Sequence, residues 1–305
     1  MSFGLSTHDS RVNIQRENTG KKRKRKRRAR PILLLIFVLV IGALLLDSNL
    51  RLVKTEYELF FPNLPESFDG FRIVILADVH AAVFGEDNER LISMVEDARP
   101  DIIAIAGDFV DNYGRLGREA QLAVAENILI DITPIAPVYY VTGNHEWEDG
   151  LIWPFLDILN EHGVYVLRNR FVHLFRGDDM IILAGTDDPN GPADMIRPEE
   201  LVRRIQYAVP DTFTVMLEHR NHNLGLYSAL GVDLVLSGHT HGGYIRLPFT
   251  DGLLGTNRDW FPSYTSGLYT QGGTKMLVSR GIGNHLFIPR FLNNPEVVVA
   301  ILRTA

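Results

Sequence analysis

Short, largely apolar, strand-like runs, each stopping on a small cluster of Asp, Asn, Gly or His, recur between residues 71 and 241 of this chain. Residues 71–77 (FRIVILA) lead into Asp78-Val79-His80, and residues 102–106 (IIAIA) lead into Gly107-Asp108. Residues 138–141 precede Gly143-Asn144-His145, residues 212–217 precede His219, and residues 233–236 precede His239-Thr240-His241. Runs without polar alternation fit strands buried on both faces, as in a sheet covered by further layers. Polar clusters at the carboxyl ends of such strands gather along one edge, where open α/β sheets place their sites.

Intervening segments carry helical spacing. Leu91, Ile92 and Val95 share a face within residues 87–98, and residues 118–130, 151–161 and 198–207 also read as helices, the last with Pro198 in its first turn. Further strands are expected at residues 56–61, 164–167, 172–175 and 180–184. Beyond Gly242 the signals are all β: residues 244–247, 267–270, 276–278 and 296–302. Strands alternating with helices, then a β-rich end, predict a layered α/β domain over residues 71–305, with residues 51–70 as linker and edge strand. The Gly-containing stretch 248–273 is long for a connection in a compact domain, which marks it as a functional loop.

Charge divides the chain. The formal net charge of −6 over 305 residues splits into +9 for residues 1–30 and −15 for the rest. An acidic body argues against sequence-independent nucleic-acid binding, which relies on Lys and Arg neutralising phosphates. With no cysteine, thiolate catalysis, Cys-ligated zinc and disulfides are excluded.

Residues 1–30 read as a disordered basic arm ending in KKRKRKRRAR, and residues 32–46 (ILLLIFVLVIGALLL) are uninterruptedly apolar. A membrane span needs about 20 residues; Pro31 and residues 47–50 can supply the interfacial turns. A buried core helix would show a polar face, which this run lacks. A cleaved signal peptide would show a small-x-small cleavage site, and none is clear. An uncleaved signal anchor over residues 31–50 fits best. The positive-inside rule then places the arm in the cytoplasm and the body on the outer face of the cell membrane.

The polar clusters form a metal-ligand inventory. Asp78 and His80 lie two apart, as do His239 and His241, a spacing that can direct both members of a pair to one cation. Imidazole suits zinc and iron and carboxylate suits manganese, so a mixed set accepts several divalent ions. Two ions about 3.5–4 Å apart can hold a bridging hydroxide and clamp a phosphoryl oxygen, and a carboxylate such as Asp108 can bridge them. Singly, Asp78 or Asp108 reads as a helix N-cap, Gly143-Asn144-His145-Glu146 as a turn, and His219 as a core histidine. All of them arising together at strand ends by coincidence is a poor explanation.

Taken with Gly107-Asp108-x-x-Asp111 and Gly238-His239-Thr240-His241-Gly242-Gly243, the pattern resembles the calcineurin-like metallophosphoesterase superfamily, over about residues 71–302. The resemblance implies a four-layer αββα sandwich and two divalent metal ions (Mn, Zn or Fe). It implies that Asp78, His80, Asp108 and His241 hold one ion, and that Asp108, Asn144, His219 and His239 hold the other. His145 matches the family histidine that assists the leaving group or stabilises the transition state, giving His145 and Asp108 as the catalytic pair. The apolar segment, Phe68-Asp69-Gly70-Phe71-Arg72 and Ser279-Arg280-Gly281-Ile282-Gly283 are similar to membrane-anchored or exported bacterial members. That branch includes UDP-2,3-diacylglucosamine pyrophosphohydrolases and phosphodiesterases of uncertain substrate.

The chain departs from the pattern at Arg220-Asn221-His222, at Tyr244 and at His285; no ligand is lost, but the substrate pocket is affected. Arg220, Arg280 and Arg290 are candidate phosphate binders by charge and planar geometry, or else surface arginines. The expectation is a phosphodiesterase or pyrophosphohydrolase acting near the membrane on a lipid-linked or cell-envelope phosphoester. The alternatives are a phosphomonoesterase and a non-catalytic membrane-tethered binding protein.

Overall fold

The computed structural model describes residues 1, 12–111, 116–148, 150–192, 195–256, 258–284 and 288–305, with side chains from residue 31 onward within that set. It divides into two units, Met1–Leu46 and Asp47–Ala305.

The first unit is helical. Helix α1 runs Val12–Leu50 and contains a stretch, Pro31–Leu50, long and apolar enough to cross a membrane. The side chains from Ile32 to Val40 are exposed. The helix begins well before the apolar run, so residues 12–30 are helical where composition predicted disorder; residues 2–11 lie outside the described set. Lys and Arg are good helix formers, and a helix already nucleated by an apolar run extends into them cheaply. Pro31 also sits inside α1 rather than in a turn, at the loss of one backbone hydrogen bond.

The second unit contains two six-stranded sheets. The first has the order β1-β12-β2-β3-β4-β5, built from β1 (Val53–Phe61), β2 (Arg72–Leu76), β3 (Ile102–Ala106), β4 (Val138–Val141), β5 (Tyr165–Val166) and β12 (Glu296–Thr304). The second has the order β10-β11-β9-β8-β7-β6, from β6 (Arg170–Arg176), β7 (Asp179–Gly185), β8 (Thr214–Leu217), β9 (Leu234–Ser237), β10 (Gly267–Gln271) and β11 (Thr274–Val278). The central strands β2, β3 and β4 pair in parallel, as do β7, β8, β9 and β11.

Side-chain alternation explains the continuous apolar runs. Ile73 and Ile75 of β2 and Ala104 and Ala106 of β3 pack with Val215 and Leu217 of β8 in a core between the sheets. The intervening Val74, Leu76, Ile103 and Ile105 pack outward beneath α2 (Glu89–Ala98), α3 (Arg118–Ile132) and α5 (Ile152–Glu161). On the far side Met216 and Val235 pack under α6 (Pro198–Ala208) and α7 (Leu224–Leu230). Both faces of both sheets are therefore buried, which gives the four-layer αββα order and leaves no polar alternation in the central strands.

Three expectations change. The compact unit starts at Asp47, not at residue 71, because β1 pairs with β12 in parallel along its whole length and buries Leu59 and Phe61 between the sheets. Residues 244–247 form only isolated bridges, Ile245 with Phe291 and Arg246 with Gly252. Tyr244 has a positive φ of 34°, and Pro248 has no N–H to extend a ladder. Helix α7 and the short helix α4 (Asn144–Glu148) were not foreseen, being too brief to display a period.

Candidate metal centre

Parallel strands deliver the polar residues at a constant offset. Asp78 lies two residues past β2, Asp108 two past β3, His219 two past β8 and His239 two past β9. Asp187 occupies the same position after β7. Strands that end at one level therefore bring their second following residue to one edge, and the segments that follow these strands and β4 carry His80, Asn144 and His241.

The backbone at this edge is bent back on itself. Asp78, His80, Asp108, His239 and His241 all have positive φ, between 48° and 74°. Non-glycine residues seldom adopt this region, and each costs of order 1 kcal/mol or more unless the surroundings over-determine it. Here they do. Gly107, itself at φ 77°, lies so close to Gly143 that an added Cβ would stand 2.6 Å from the Gly143 nitrogen. The amides of Asp78 and His80 donate to the carbonyls of Gly107 and Asp108 at 3.1 and 3.0 Å.

All seven predicted ligands converge. His80 Nε2 faces His241 Nε2 at 3.1 Å, and His241 Nε2 stands 3.6 Å from Asp78 Oδ1. Alongside, His219 Nε2 lies 3.1 Å from Asp108 Oδ2, 3.2 Å from Asn144 Oδ1 and 3.1 Å from His239 Nδ1. Asp78, His80 and His241 can share one cation, and so can Asp108, His219 and His239.

The donor set fits cations. His219 Nδ1 donates to the Ala106 carbonyl at 2.8 Å, which fixes the tautomer and leaves Nε2 with its lone pair. That lone pair then faces a carboxylate oxygen, an amide oxygen and another imidazole nitrogen. Three acceptors within 3.2 Å of that nitrogen repel it unless a proton or metal ion lies among them. Without ions a proton takes that place: burial works against the imidazolium, but Asp108 holds His219 up to about 10. Burial likewise opposes ionisation of Asp108, yet His219, His145 and His80 keep its carboxyl well below the usual range. Burial raises Asp78 to about 7 despite His219 nearby.

His145 belongs to the same cluster. Its Nε2 is 3.8 Å from Asp108 Oδ2, and its Nδ1 pairs with Asp111 Oδ1 at 2.9 Å. Burial lowers its basicity, but Asp111 and Asp108 more than offset this and hold it up to about 9. Asp111, a letter of the Gly107-Asp108-x-x-Asp111 motif, stands behind His145 and fixes the orientation of its ring.

Glu146 has a role not anticipated from its motif. The buried carboxylate accepts backbone N–H groups from Asp108 at 3.1 Å, Gly143 at 2.8 Å and Phe109 at 2.6 Å. It ties the loop after β3 to the loop after β4, and so sets Asp108 beside Asn144 and His145.

The three candidate arginines are not free. Arg290 is fully buried and donates to the carbonyls of Gly283, Gly281 and His241 at 2.6, 3.2 and 3.4 Å, so it braces the backbone behind the site instead of meeting substrate. Arg280 pairs with Glu296 at 2.8 Å. Arg220 forms a two-pronged pair with Asp188, at 2.7 and 3.0 Å, and also reaches Asn190. Asn190 and Asn144 both contact Glu148 Oε1, at 3.2 and 3.4 Å, so Arg220 stands at the rim of the centre. His285 lies outside the described residues.

The Bacillus subtilis protein described as uncharacterised metallophosphoesterase YkuE is 28% identical over 254 residues, covering 82% of this chain and 85% of that one. A Danio rerio transmembrane protein with a metallophosphoesterase domain is 29% identical over 262 residues, 82% of this chain and 57% of the fish protein. Among solved structures, TT1561 of Thermus thermophilus superposes with a TM-score of 0.45 at 17% identity, over 70% of this chain and 89% of that one. The family model described as calcineurin-like phosphoesterase matches residues 71–243, a stretch that holds every candidate ligand from Asp78 to His241; the chain belongs to the calcineurin-like phosphoesterase family.

Proposed function

We propose that this protein is a di-metal phosphoester hydrolase, a phosphodiesterase or pyrophosphohydrolase, tethered to a membrane by residues 31–50 with its catalytic domain on the outer face. The observation that carries the reading is the pair of donor clusters, Asp78 with His80 and His241 and Asp108 with His219 and His239, each close enough to share a cation. Asp78, His80 and His241 would hold one ion, Asn144, His219 and His239 the other, and Asp108 would bridge them. Manganese, zinc and iron all suit this donor mix. When bound, the ions supply an activated water and neutralise charge developing on the phosphoryl oxygens. His145, protonated and held by Asp111, donates a proton to the departing oxygen. Arg220, at the rim, steadies the remainder of the substrate. The tether and the basic arm favour a lipid-linked or cell-envelope phosphoester.

The test uses the full chain in detergent, stripped of metal and reloaded with manganese, on a chromogenic phosphodiester and the matching monoester. Metal-dependent turnover with preference for the diester is expected, and Asp108→Asn should lower it by about 10²-fold or more. Preference for the monoester would replace the subclass. Full activity in Asp108→Asn would sink the bridging assignment.

A further inference from the structure

The stretch after the His241 motif turns its large apolar side chains outward. Phe249 has a relative exposure of 107%, Phe261 73% and Trp260 70%, and Leu247 is also exposed. Single exposed apolar residues are ordinary, but these four lie within fifteen positions on one loop. Backbone pairing holds the segments side by side. Leu253 N donates to the Ile245 carbonyl at 2.8 Å, Phe261 N donates to the Leu253 carbonyl at 3.0 Å, and Leu254 bridges to Trp260.

The stem of this loop is tied both to the metal centre and to the juxtamembrane turn. Gly243 packs directly on Gly252, and Thr240, between the two His ligands, donates to the Thr265 carbonyl at 2.8 Å. Arg246 N donates to the Phe291 carbonyl at 2.9 Å, and Phe291 N to that of Tyr244 at 3.1 Å. The adjoining Arg290 exchanges two hydrogen bonds with Asn49, at 2.9 and 3.0 Å. Asn49 lies in the last turn of the apolar segment Pro31–Leu50.

We infer that the loop bearing Leu247, Phe249, Trp260 and Phe261 seats in the interfacial layer of the bilayer that holds residues 31–50, beside the metal centre, so that phosphoesters with acyl tails are presented to it from the membrane surface. The inference rests on the membrane-tether part of the proposed function. Trp and Phe favour the headgroup boundary. The surrounding charges are mixed, with Arg246 against Asp251 at 3.5 Å, so a polyanionic partner has no basic patch to meet. A ring exposed on every side, as Phe249 is, offers no flat complement to a second copy of this chain but enters a soft medium readily.

The experiment uses the full chain in vesicles of equal parts phosphatidylcholine and phosphatidylglycerol, with the phosphatidylcholine brominated on its acyl chains. The protein has three tryptophans, so the difference between wild type and Trp260→Phe isolates the emission of Trp260. Quenching of that component by the brominated lipid is expected. In parallel, the double variant Phe249→Ser with Phe261→Ser should hydrolyse a vesicle-borne phosphoester about tenfold more slowly while turning over a soluble chromogenic ester as before. Vesicle flotation with unquenched Trp260 would overturn the loop assignment alone. Failure to float would remove the tether and the loop assignment together, leaving the hydrolase reading to its own assay. Cross-linking between loops of two copies, with Trp260 unquenched, would assign the surface to self-association instead.

Discussion

Asp108 and His145 meet twice. The His145 backbone N–H donates to Asp108 Oδ1 at 2.9 Å, and the His145 ring nitrogen Nε2 stands 3.8 Å from the other oxygen, Oδ2. One residue therefore sets the rotamer of the Asp108 carboxylate and also offers it a proton-bearing ring. The relationship depends on two loops keeping register, and Glu146 supplies that register.

Glu146→Gln tests the point. A glutamine side chain offers one acceptor oxygen, and its NH₂ group would confront backbone N–H groups that now donate to the second carboxylate oxygen. Leaving buried donors unpaired costs about 1–3 kcal/mol. For a chain of this size that lowers the unfolding midpoint by roughly 2–4 °C per kcal/mol. Thermal unfolding with and without manganese should show the loss in both states, with metal affinity reduced as well. Unchanged stability and metal affinity would remove Glu146 from the architecture of the site.

Gly143 is required for a steric reason. A Cβ there would fall on the Asp108 carboxylate and backbone nitrogen, and these are fixed atoms of the centre with no room to retreat. Gly143→Ala should abolish metal-dependent hydrolysis even if the chain folds. Gly273, in the turn before β11, has nothing within 4 Å of such a Cβ, so Gly273→Ala should be nearly silent, within about 0.5 kcal/mol. Equal activity in the two variants would contradict the close approach of the two loops.

These cases mark what the sequence could reveal. Asp78, His80, Asp108, Asn144, His219, His239 and His241 were legible because each follows an apolar run by a short, repeated interval. The doubly buried strands were legible because both faces are covered. Charge in a sequence says nothing of pairing: Arg290 is buried behind His241, and Arg220 reaches the rim of the centre already paired with Asp188. Glu146 and Asp111 were visible as letters of motifs, but their tasks depend on which backbone amides and which ring they face. Positive φ at Asp78 and Asp108 leaves no trace in composition at all.

The start of the catalytic unit gives a third test. Asn49 binds both backbone groups of Arg290, and the Arg290 side chain spans the carbonyls of Gly281, Gly283 and His241. Gly281 in turn presses on the Asp78 side chain. A fragment beginning at Asp47 keeps this chain of contacts, whereas one beginning at Arg51 loses it. The shorter fragment should unfold at a lower temperature and bind metal more weakly, and Asn49→Ala in the full chain should reproduce part of the defect, about 1–2 kcal/mol. Indistinguishable fragments would show that residues 47–50 only connect.

Metal removal is the fourth. The centre packs the carboxylates of Asp78, Asp108 and Glu146 into a region with almost no solvent access, and burying like charges is unfavourable unless cations offset them. A ligand that binds only the folded state stabilises it by RT ln(1 + [L]/Kd), about 2.7 kcal/mol at a hundredfold excess over Kd. Chelation should therefore lower the unfolding midpoint by several degrees, and manganese or zinc should restore it in a concentration-dependent manner. Asp108→Asn, which removes the carboxylate paired with His219 and accepting the His145 amide, should lose most of the metal response and unfold below the wild-type midpoint even without metal. A wild-type midpoint unmoved by chelation and by added metal would mean that protons, held on His219, keep these acceptors together and that the cluster is not a metal centre.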